Sequence, residues 1–207
     1  MRYARAMDPV VEAELSRLIH ARTFDRAATE CIRSYGAEIY GFLVSQVGNE
    51  NDAAEVFSQL GEDLWRGLPG FGLRCTVRTW LYLLARHAAE RFRRGPWNRE
   101  GQRTGDSGLD ALVAAVRTST QPWLRTDVKD RWRTLRESLG PDDRALLTLR
   151  VDRKLPWIDI ARITLESEAP GAGALARETA RLRKRFQLLK GELRHRAREA
   201  GLLDQER

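Results

Sequence analysis

Apolar residues recur along this chain at intervals of three and four positions, which is the spacing of a helix, and no segment shows the alternation of a strand. The clearest run lies near the end of the chain. Its six members fall within about 40° of one line when they are projected onto a helix: Leu175, Thr179, Leu182, Phe186, Leu189 and Leu193. The pattern predicts an all-α fold.

Breaker residues divide these helical patterns into segments. Asp8-Pro9 and Thr23 are predicted helix starts, and Gly48 and the pair Gly95-Pro96 are predicted ends. The residues after Gly95 are rich in glycine, polar and charged side chains, which is typical of a linker. We therefore predict two small helical domains joined by a flexible linker. The predicted parts are an N-terminal helical extension over 1–23, a domain over 24–94, a linker over 95–126, a domain over 127–200 and a tail over 201–207.

The net charge of +7 is unevenly distributed along the 207 residues. The segments Arg74–Arg103 and Gly171–Ala200 each carry an excess of six positive charges, whereas Asn49–Asp63 carries five carboxylates and no cation. Two basic segments and one acidic segment favour two polyanion-binding faces and a separate protein-binding face. The alternative is that these runs are only the solvated faces of helices.

Several classes of function are disfavoured by the composition. The two cysteines, Cys31 and Cys75, form no CxxC pair, so we expect reduced thiols and neither a metal site nor a cofactor. The three histidines are dispersed and no carboxylate cluster or phosphate-binding glycine loop is present, so we do not expect an enzyme. No apolar run reaches the roughly 20 residues of a membrane span, and the first residues lack the apolar core of a signal peptide. We expect a cytoplasmic protein that binds no membrane.

One basic segment combines cations with aromatic residues on a single predicted helix. Val77, Trp80, Leu81, Leu84, Ala88 and Phe92 form its apolar face, and Trp80 is expected in the core. Arg78, Tyr82 and Arg86 repeat every four residues away from that face. Cations for phosphates and an aromatic ring for an unpaired base suit a single-stranded nucleic acid.

The second basic segment predicts a helix-turn-helix. A short helix over Leu155–Leu165 is followed by a loop over Glu166–Ala174 and a long helix over Leu175–Ala200. Arg177, Arg181 and Lys184 lie opposite its apolar stripe, where a recognition helix would meet the major groove. A solvated basic hairpin is the alternative.

The order of these motifs resembles the extracytoplasmic-function (ECF) type of RNA polymerase sigma factor. Residues 24–94 resemble sigma region two, through Leu68-Pro-x-Phe71, Arg78-Thr-Trp-Leu-Tyr-Leu-Leu-Ala85 and Arg91-Phe-Arg-Arg94. Residues 128–195 resemble region four, through Leu135-x-x-x-Leu139-x-Pro141, Leu155-x-Trp-x-x-Ile160-Ala161 and Arg183-Lys-Arg-Phe186.

The resemblance implies a protein that binds core RNA polymerase, recognises the minus-ten and minus-thirty-five elements of promoter DNA and assists promoter melting. It also implies an anti-sigma factor as a further partner. The implied minus-ten contacts are Arg74, Arg78, Tyr82, Arg86, Arg93 and Arg94. The implied minus-thirty-five contacts are Arg177, Arg181, Arg183, Lys184 and Arg185. The implied polymerase contacts are Asp52, Glu55, Gln59 and Glu62.

The chain departs from the family pattern at three places. Gln59 is displaced by one position in the acidic helix, and Gly61 stands where a bulky apolar residue is expected. Leu73 and Arg74 replace a common glycine and a common acidic residue, and the 166–174 loop exceeds the turn of an ordinary helix-turn-helix. The altered acidic helix favours the second hypothesis, a sigma-like helical DNA-binding regulator that does not engage polymerase.

Overall fold

The computed structural model describes residues 8–95 and 134–202. Every regular element within these ranges is helical, which confirms the prediction of an all-α fold there. Most of the predicted linker, the start of the second predicted domain and both chain ends lie outside the described residues. None of the described helices is long and apolar enough to cross a membrane.

The N-terminal half contains four α-helices between residues 8 and 95. A single 3₁₀ turn, Leu68–Gly70, follows the third of them and leads into the loop before the fourth. The helices are α1 (Pro9–His20), α2 (Phe24–Val47), α3 (Glu50–Gly67) and α4 (Val77–Arg94).

Local signals explain most of these helix boundaries. The Asp8 side chain accepts a hydrogen bond from the Val10 backbone at 3.1 Å, with Pro9 in the first helical position, as predicted. Gly48 ends α2 in the left-handed conformation, at a φ of 93°, which also agrees with the prediction. Thr23 precedes α2 but does not cap it through its side chain, because its hydroxyl donates instead to the Leu18 carbonyl at 3.0 Å.

The C-terminal half contains shorter helices and one long one. They are α5 (Pro141–Leu147), a π-helical turn (Thr148–Asp152), α6 (Trp157–Thr164) and α7 (Ala172–Glu199). Helix α7 begins three residues before the predicted Leu175, because the alanine-rich segment at 172–176 favours the helix. The connection between α6 and α7 is therefore shorter than predicted and covers residues 165–171.

A continuous apolar core joins the two halves. Helix α4 packs against α1, α2 and α3 and also against α6, while α2 packs against α5. One cluster of buried residues includes Phe42 and Leu81 from the N-terminal half and Leu149, Ile160 and Leu182 from the C-terminal half. A smaller cluster joins Leu139 and Leu147 to Leu189 of α7. Helix α4 is therefore enclosed by neighbours from both halves.

Candidate nucleic-acid interface

The loop before α4 is anchored to the core at its start. The Phe71 ring stacks on Trp80, with the ring centroids 4.3 Å apart and the planes 9° apart. Both rings are buried, so the expectation that Trp80 is a core residue is confirmed. Beyond this anchor, Leu73 takes a φ of 53° and Arg74 is exposed. Arg74 is therefore the loop cation that solvent reaches.

The first turn of α4 is capped from two directions. Thr76 Oγ1 accepts a hydrogen bond from the Thr79 backbone at 3.1 Å. The Glu12 carboxylate, from α1, accepts the backbone N–H groups of Val77 at 2.8 Å and Arg78 at 3.0 Å. A carboxylate at this position satisfies free donors and complements the positive end of the helix dipole. The start of α4 is thus fixed by a residue on α1.

Arg78 is buried, with only 4% of its surface exposed. Its Nε donates to Glu38 Oε1 at 2.6 Å, and its Nη2 donates to Glu38 Oε2 at 3.1 Å and to the Arg153 carbonyl at 3.2 Å. Burial alone would lower the pKa of Arg78, but the hydrogen bond and charge of Glu38 raise that pKa above its usual value. The guanidinium therefore stays charged and bridges α2 to the C-terminal half.

Tyr82 is completely buried. Its ring meets Phe42 of α2 edge to face, with the centroids 5.3 Å apart. Burial raises the pKa of the Tyr82 hydroxyl, and the nearby Glu38 charge raises it further. In this arrangement the ring is packed against protein and is not available to a nucleobase.

Arg86 carries ion pairs to both halves. Its guanidinium lies 3.3 Å from Glu90 on the same helix, 2.9 Å from Asp142 and 3.6 Å from Glu166. The neighbouring His87 Nε2 lies 3.5 Å from the same Glu166 carboxylate. Two acidic residues of the C-terminal half thus face Arg86, and one of them also lies beside His87.

The expectation that Arg78, Tyr82 and Arg86 form an exposed ridge is wrong for the described structure. Arg78 and Tyr82 are covered by Glu38 and Phe42 of α2, and Arg86 is covered by Asp142 and Glu166 of the C-terminal half. One signal was available in the sequence: Leu83, Ala85 and Ala89 lie outside the predicted apolar face, and all three are buried. A helix that is apolar on several sides is buried on several sides. The role of Arg78, Tyr82 and Arg86 in binding DNA stays a prediction.

The end of α4 is more open. Arg93 and Arg94 are exposed, and Glu90 lies 2.8 Å from Arg94 and 3.3 Å from Arg86. Arg86, Glu90 and Arg94 therefore form an ion-pair ladder along α4. Arg91 pairs with Asp63 of α3.

On α7, the predicted outer face is exposed. Arg177, Arg181 and Lys184 all lie on the surface, and the Trp157 ring of α6 meets Phe186 on the inner side, with centroids 5.4 Å apart. The periodicity therefore placed this face correctly.

Arg181 is held in position by its own helix. Its Nε and Nη2 donate to the two carboxylate oxygens of Glu178 at 2.7 and 2.6 Å. That hydrogen bond raises the pKa of Arg181. The bidentate pair orients the guanidinium on the exposed face.

Arg183 and Arg185 occupy different environments, although both are implied minus-thirty-five contacts. Arg183 is exposed. Arg185 Nε donates to Asp143 Oδ1 of α5 at 2.8 Å, and its Nη1 donates to Glu192 at 3.2 Å. The hydrogen bond to Asp143 raises the pKa of Arg185. Arg185 therefore ties α7 to α5 in this structure.

The implied polymerase contacts share one helix, but internal partners engage most of them. Asp52 accepts from the Asn49 amide at 2.6 Å, beside the helix cap that Asn49 makes. Glu62 pairs with Arg66 at 3.2 Å, and Gln59 lies 3.5 Å from Glu62. Glu55 is half-buried.

An exposed tryptophan beside this acidic face was missed by the sequence reasoning. Trp65 of α3 is 53% exposed. Its Nε1 donates to Asp25 Oδ1 of α2 at 2.9 Å. A surface tryptophan held in a fixed orientation is a common anchor of protein interfaces.

No protein-family model matches the sequence, and no curated protein matches it. Within residues 8–95 and 134–202, no group of three or more histidine, cysteine, aspartate or glutamate side chains is placed to hold a metal ion. The charged helices α4 and α7 are therefore the features on which a functional argument can rest.

Proposed function

We propose that this chain is a sigma factor of the ECF type, which binds core RNA polymerase, recognises the minus-ten and minus-thirty-five elements and assists promoter melting. The observation that carries the proposal is the exposed cationic face of α7. The short helix α6 precedes α7 and packs against its inner side through Trp157 and Phe186. Such an arrangement suits insertion into the major groove. A sigma factor of this kind would act in the cytoplasm, where the polymerase is.

The residues of α7 are proposed to divide the work between bases and phosphates. Arg177 and Arg181 can each make bidentate contacts to guanine in the major groove. Lys184 and Arg183 are both exposed and suit contacts to phosphates. Arg185 would contribute indirectly, because its pair with Asp143 holds α7 on α5.

The residues of the N-terminal half are proposed to bind the melted strand and the polymerase. Arg74, Arg93 and Arg94 are exposed and suit phosphates. Arg86 would join them only after Asp142 and Glu166 of the C-terminal half move away. Arg78 and Tyr82 would also have to leave Glu38 and Phe42 of α2. The acidic surface of α3, with Trp65 beside Glu62, is the proposed polymerase contact.

The test is co-purification with core RNA polymerase, followed by run-off transcription on genomic fragments. We expect a complex at micromolar concentration and transcripts that depend on this chain. Absence of any complex at that concentration would reject the proposal.

The covered ridge on α4 supports a second candidate. A sigma-like regulator that binds duplex DNA through α7 alone would have no need of an exposed α4. That protein would bind promoter duplexes without polymerase and would give no transcript in the run-off assay.

A further inference from the structure

Helix α7 is longer than the groove that its exposed face would enter. Its 28 residues span about 42 Å at 1.5 Å per residue. Arg177, Arg181 and Lys184 occupy only the first half of that length. A straight helix of this length leaves a groove that is about 12 Å wide and winds around the duplex, and recognition helices contact bases through their N-terminal residues. The second half of α7 therefore emerges beside the phosphates at the edge of the groove.

The charged side chains of this helix are segregated around its axis. At 100° per residue, Arg183, Lys190 and Arg194 fall within about 40° of one another, and we call this row the lateral stripe. Arg183 and Arg194 are exposed, and Lys190 is half-buried. The acidic residues of α7 lie on the opposite side of the helix, within about 60° of one another: Glu178, Glu192 and Glu199. Within residues 8–95 and 134–202, no acidic side chain pairs with the lateral stripe.

Lys190 is held in place by a row of alternating cations and rings. Its Nζ lies 5.5 Å from the centroid of the Phe186 ring, and that ring meets Trp157 of α6 edge to face, with the centroids 5.4 Å apart. Arg150, in the π-helical turn, places its guanidinium carbon 4.7 Å from the centroid of Trp157. Attraction between a cation and a ring face restricts a side chain that would otherwise move freely. These contacts fix Lys190 on the side of α7 that adjoins α6.

The side that adjoins α6 is where a DNA strand is expected. In helix-turn-helix proteins the helix before the recognition helix crosses the phosphate backbone. A strand that passes α6 in this way continues beside the lateral stripe, where its phosphates meet cations that have no acidic neighbour among the described residues. Any duplex that the first half of α7 holds brings its phosphates to the same rigid helix, which favours DNA over an acidic protein as the occupant.

We infer that the lateral stripe is a second DNA contact, which binds phosphates of one strand beside the groove that the first half of α7 enters. The inference rests on the proposed function, because it takes α7 as the recognition helix. It adds Lys190 and Arg194 to the contacts that the family resemblance implies, and it extends the footprint beyond the minus-thirty-five element. It also orients the helix, since the acidic side of α7 faces away from that strand.

The test removes two charges of the lateral stripe and measures the salt dependence of duplex binding. Lys190→Gln with Arg194→Gln is compared with Arg17→Gln with Arg33→Gln, which makes the same change in net charge at exposed arginines of α1 and α2. The probe is a fluorescent random-sequence duplex of about 30 base pairs, titrated at roughly 50 to 200 mM NaCl. A random sequence is sufficient because phosphate contacts carry no base information.

Each lost phosphate contact makes the fall of log K with log salt shallower by about 0.9. We therefore expect the slope of the stripe variant to be shallower by about 1.8, so that the unmodified chain loses about tenfold more affinity than the variant across this salt range. The control should keep its slope to within about 0.5. Lys190→Arg with Arg194→Lys keeps both charges and should bind as the unmodified chain does.

A second variant guards against a change in the fold. Arg183→Gln with Arg194→Gln alters two exposed residues and tests the same stripe if the loss of Lys190 disturbs Phe186. Equal urea midpoints for the variants and the unmodified chain would show that all of them are folded.

The outcomes separate this inference from the proposed function. An unchanged slope in both stripe variants, or an equal change in the control, overturns the inference even if polymerase binding is found. Loss of polymerase binding with unchanged duplex binding would assign the lateral stripe to a protein partner and overturns the inference as well. The expected change in slope without any complex with core polymerase rejects the sigma-factor proposal, while the second DNA contact stands.

Discussion

Helices α4 and α7 carry similar sets of cations, but the rest of the chain treats them differently. On α4, Arg78 is buried against Glu38, and Arg86 faces Asp142 and Glu166. On α7, Arg177 and Lys184 are exposed, and the Glu178 pair leaves Arg181 on the surface. A run of positive charge therefore defines a free surface only where no acidic group from elsewhere in the fold reaches it.

This difference implies an order of events for the proposed function. The face on α7 can meet duplex DNA in the described arrangement, whereas Arg86 of α4 is engaged by Asp142 and Glu166 of the C-terminal half. Recognition of the duplex would precede capture of the melted strand.

The largest expected effect concerns the alkylation rate of Cys75, in the loop before α4. Burial, with the charge of Glu168, raises the pKa of Cys75 to about 12. Because only the thiolate reacts, alkylation near pH 8 should be roughly a thousandfold slower than for an ordinary cysteine and should rise about tenfold per pH unit up to about pH 10. Iodoacetamide labelling followed by mass spectrometry measures this. A rate that levels off near pH 9 (about the ordinary thiol pKa) in the unmodified protein would contradict the covered arrangement.

The next prediction compares two arginine–glutamate pairs. Glu38→Ala leaves Arg78 charged and buried, so the free energy of unfolding should fall by about 3 kcal/mol. Glu178→Ala frees an arginine whose side chain is 60% exposed, and should cost less than about 0.5 kcal/mol. Urea unfolding followed by circular dichroism measures both. Similar losses of unfolding free energy from the two substitutions would contradict the difference between the buried pair on α4 and the exposed pair on α7.

The free face of α7 should dominate binding to duplex DNA. Arg177→Ala with Arg181→Ala should weaken binding of a promoter duplex by roughly 2 kcal/mol or more and reduce its salt dependence. Polymerase binding should stay unchanged. The control is Arg17→Ala with Arg33→Ala, two exposed arginines on α1 and α2. Equal loss of duplex and polymerase binding would contradict the assignment of this face.

A smaller effect is expected from the exposed cation of the loop. Arg74→Ala removes one phosphate contact, so promoter opening should fall by less than about tenfold, while initial duplex binding changes little. Permanganate reactivity of promoter thymines measures opening, and Arg33→Ala serves as the control. Unchanged reactivity would remove Arg74 from the minus-ten contacts.

Local features of the fold were predictable because their causes are local. The cap at Asp8 and the end at Gly48 each depend on one or two neighbouring residues. The outward face of α7 follows from its periodicity. The burial of Tyr82 was not predictable in this way, because its ring partner Phe42 lies on α2, 40 residues earlier in the chain.

The same limit applies to individual side chains. Arg185 is an implied minus-thirty-five contact, but its orientation is set by Asp143, which is 42 residues away. Thr23 is a suitable capping residue by type, yet its hydroxyl binds the end of the preceding helix. Only the assembled fold decides between such competing partners.

Glu12 connects the first helix to the start of α4, where it accepts two backbone N–H groups and the Tyr35 hydroxyl at 2.8 Å. The geometry of the loop before α4 therefore depends on a residue of α1. Genetic selections for altered promoter preference should return substitutions in α1, and these would act by tilting the loop, with no loss of a direct contact.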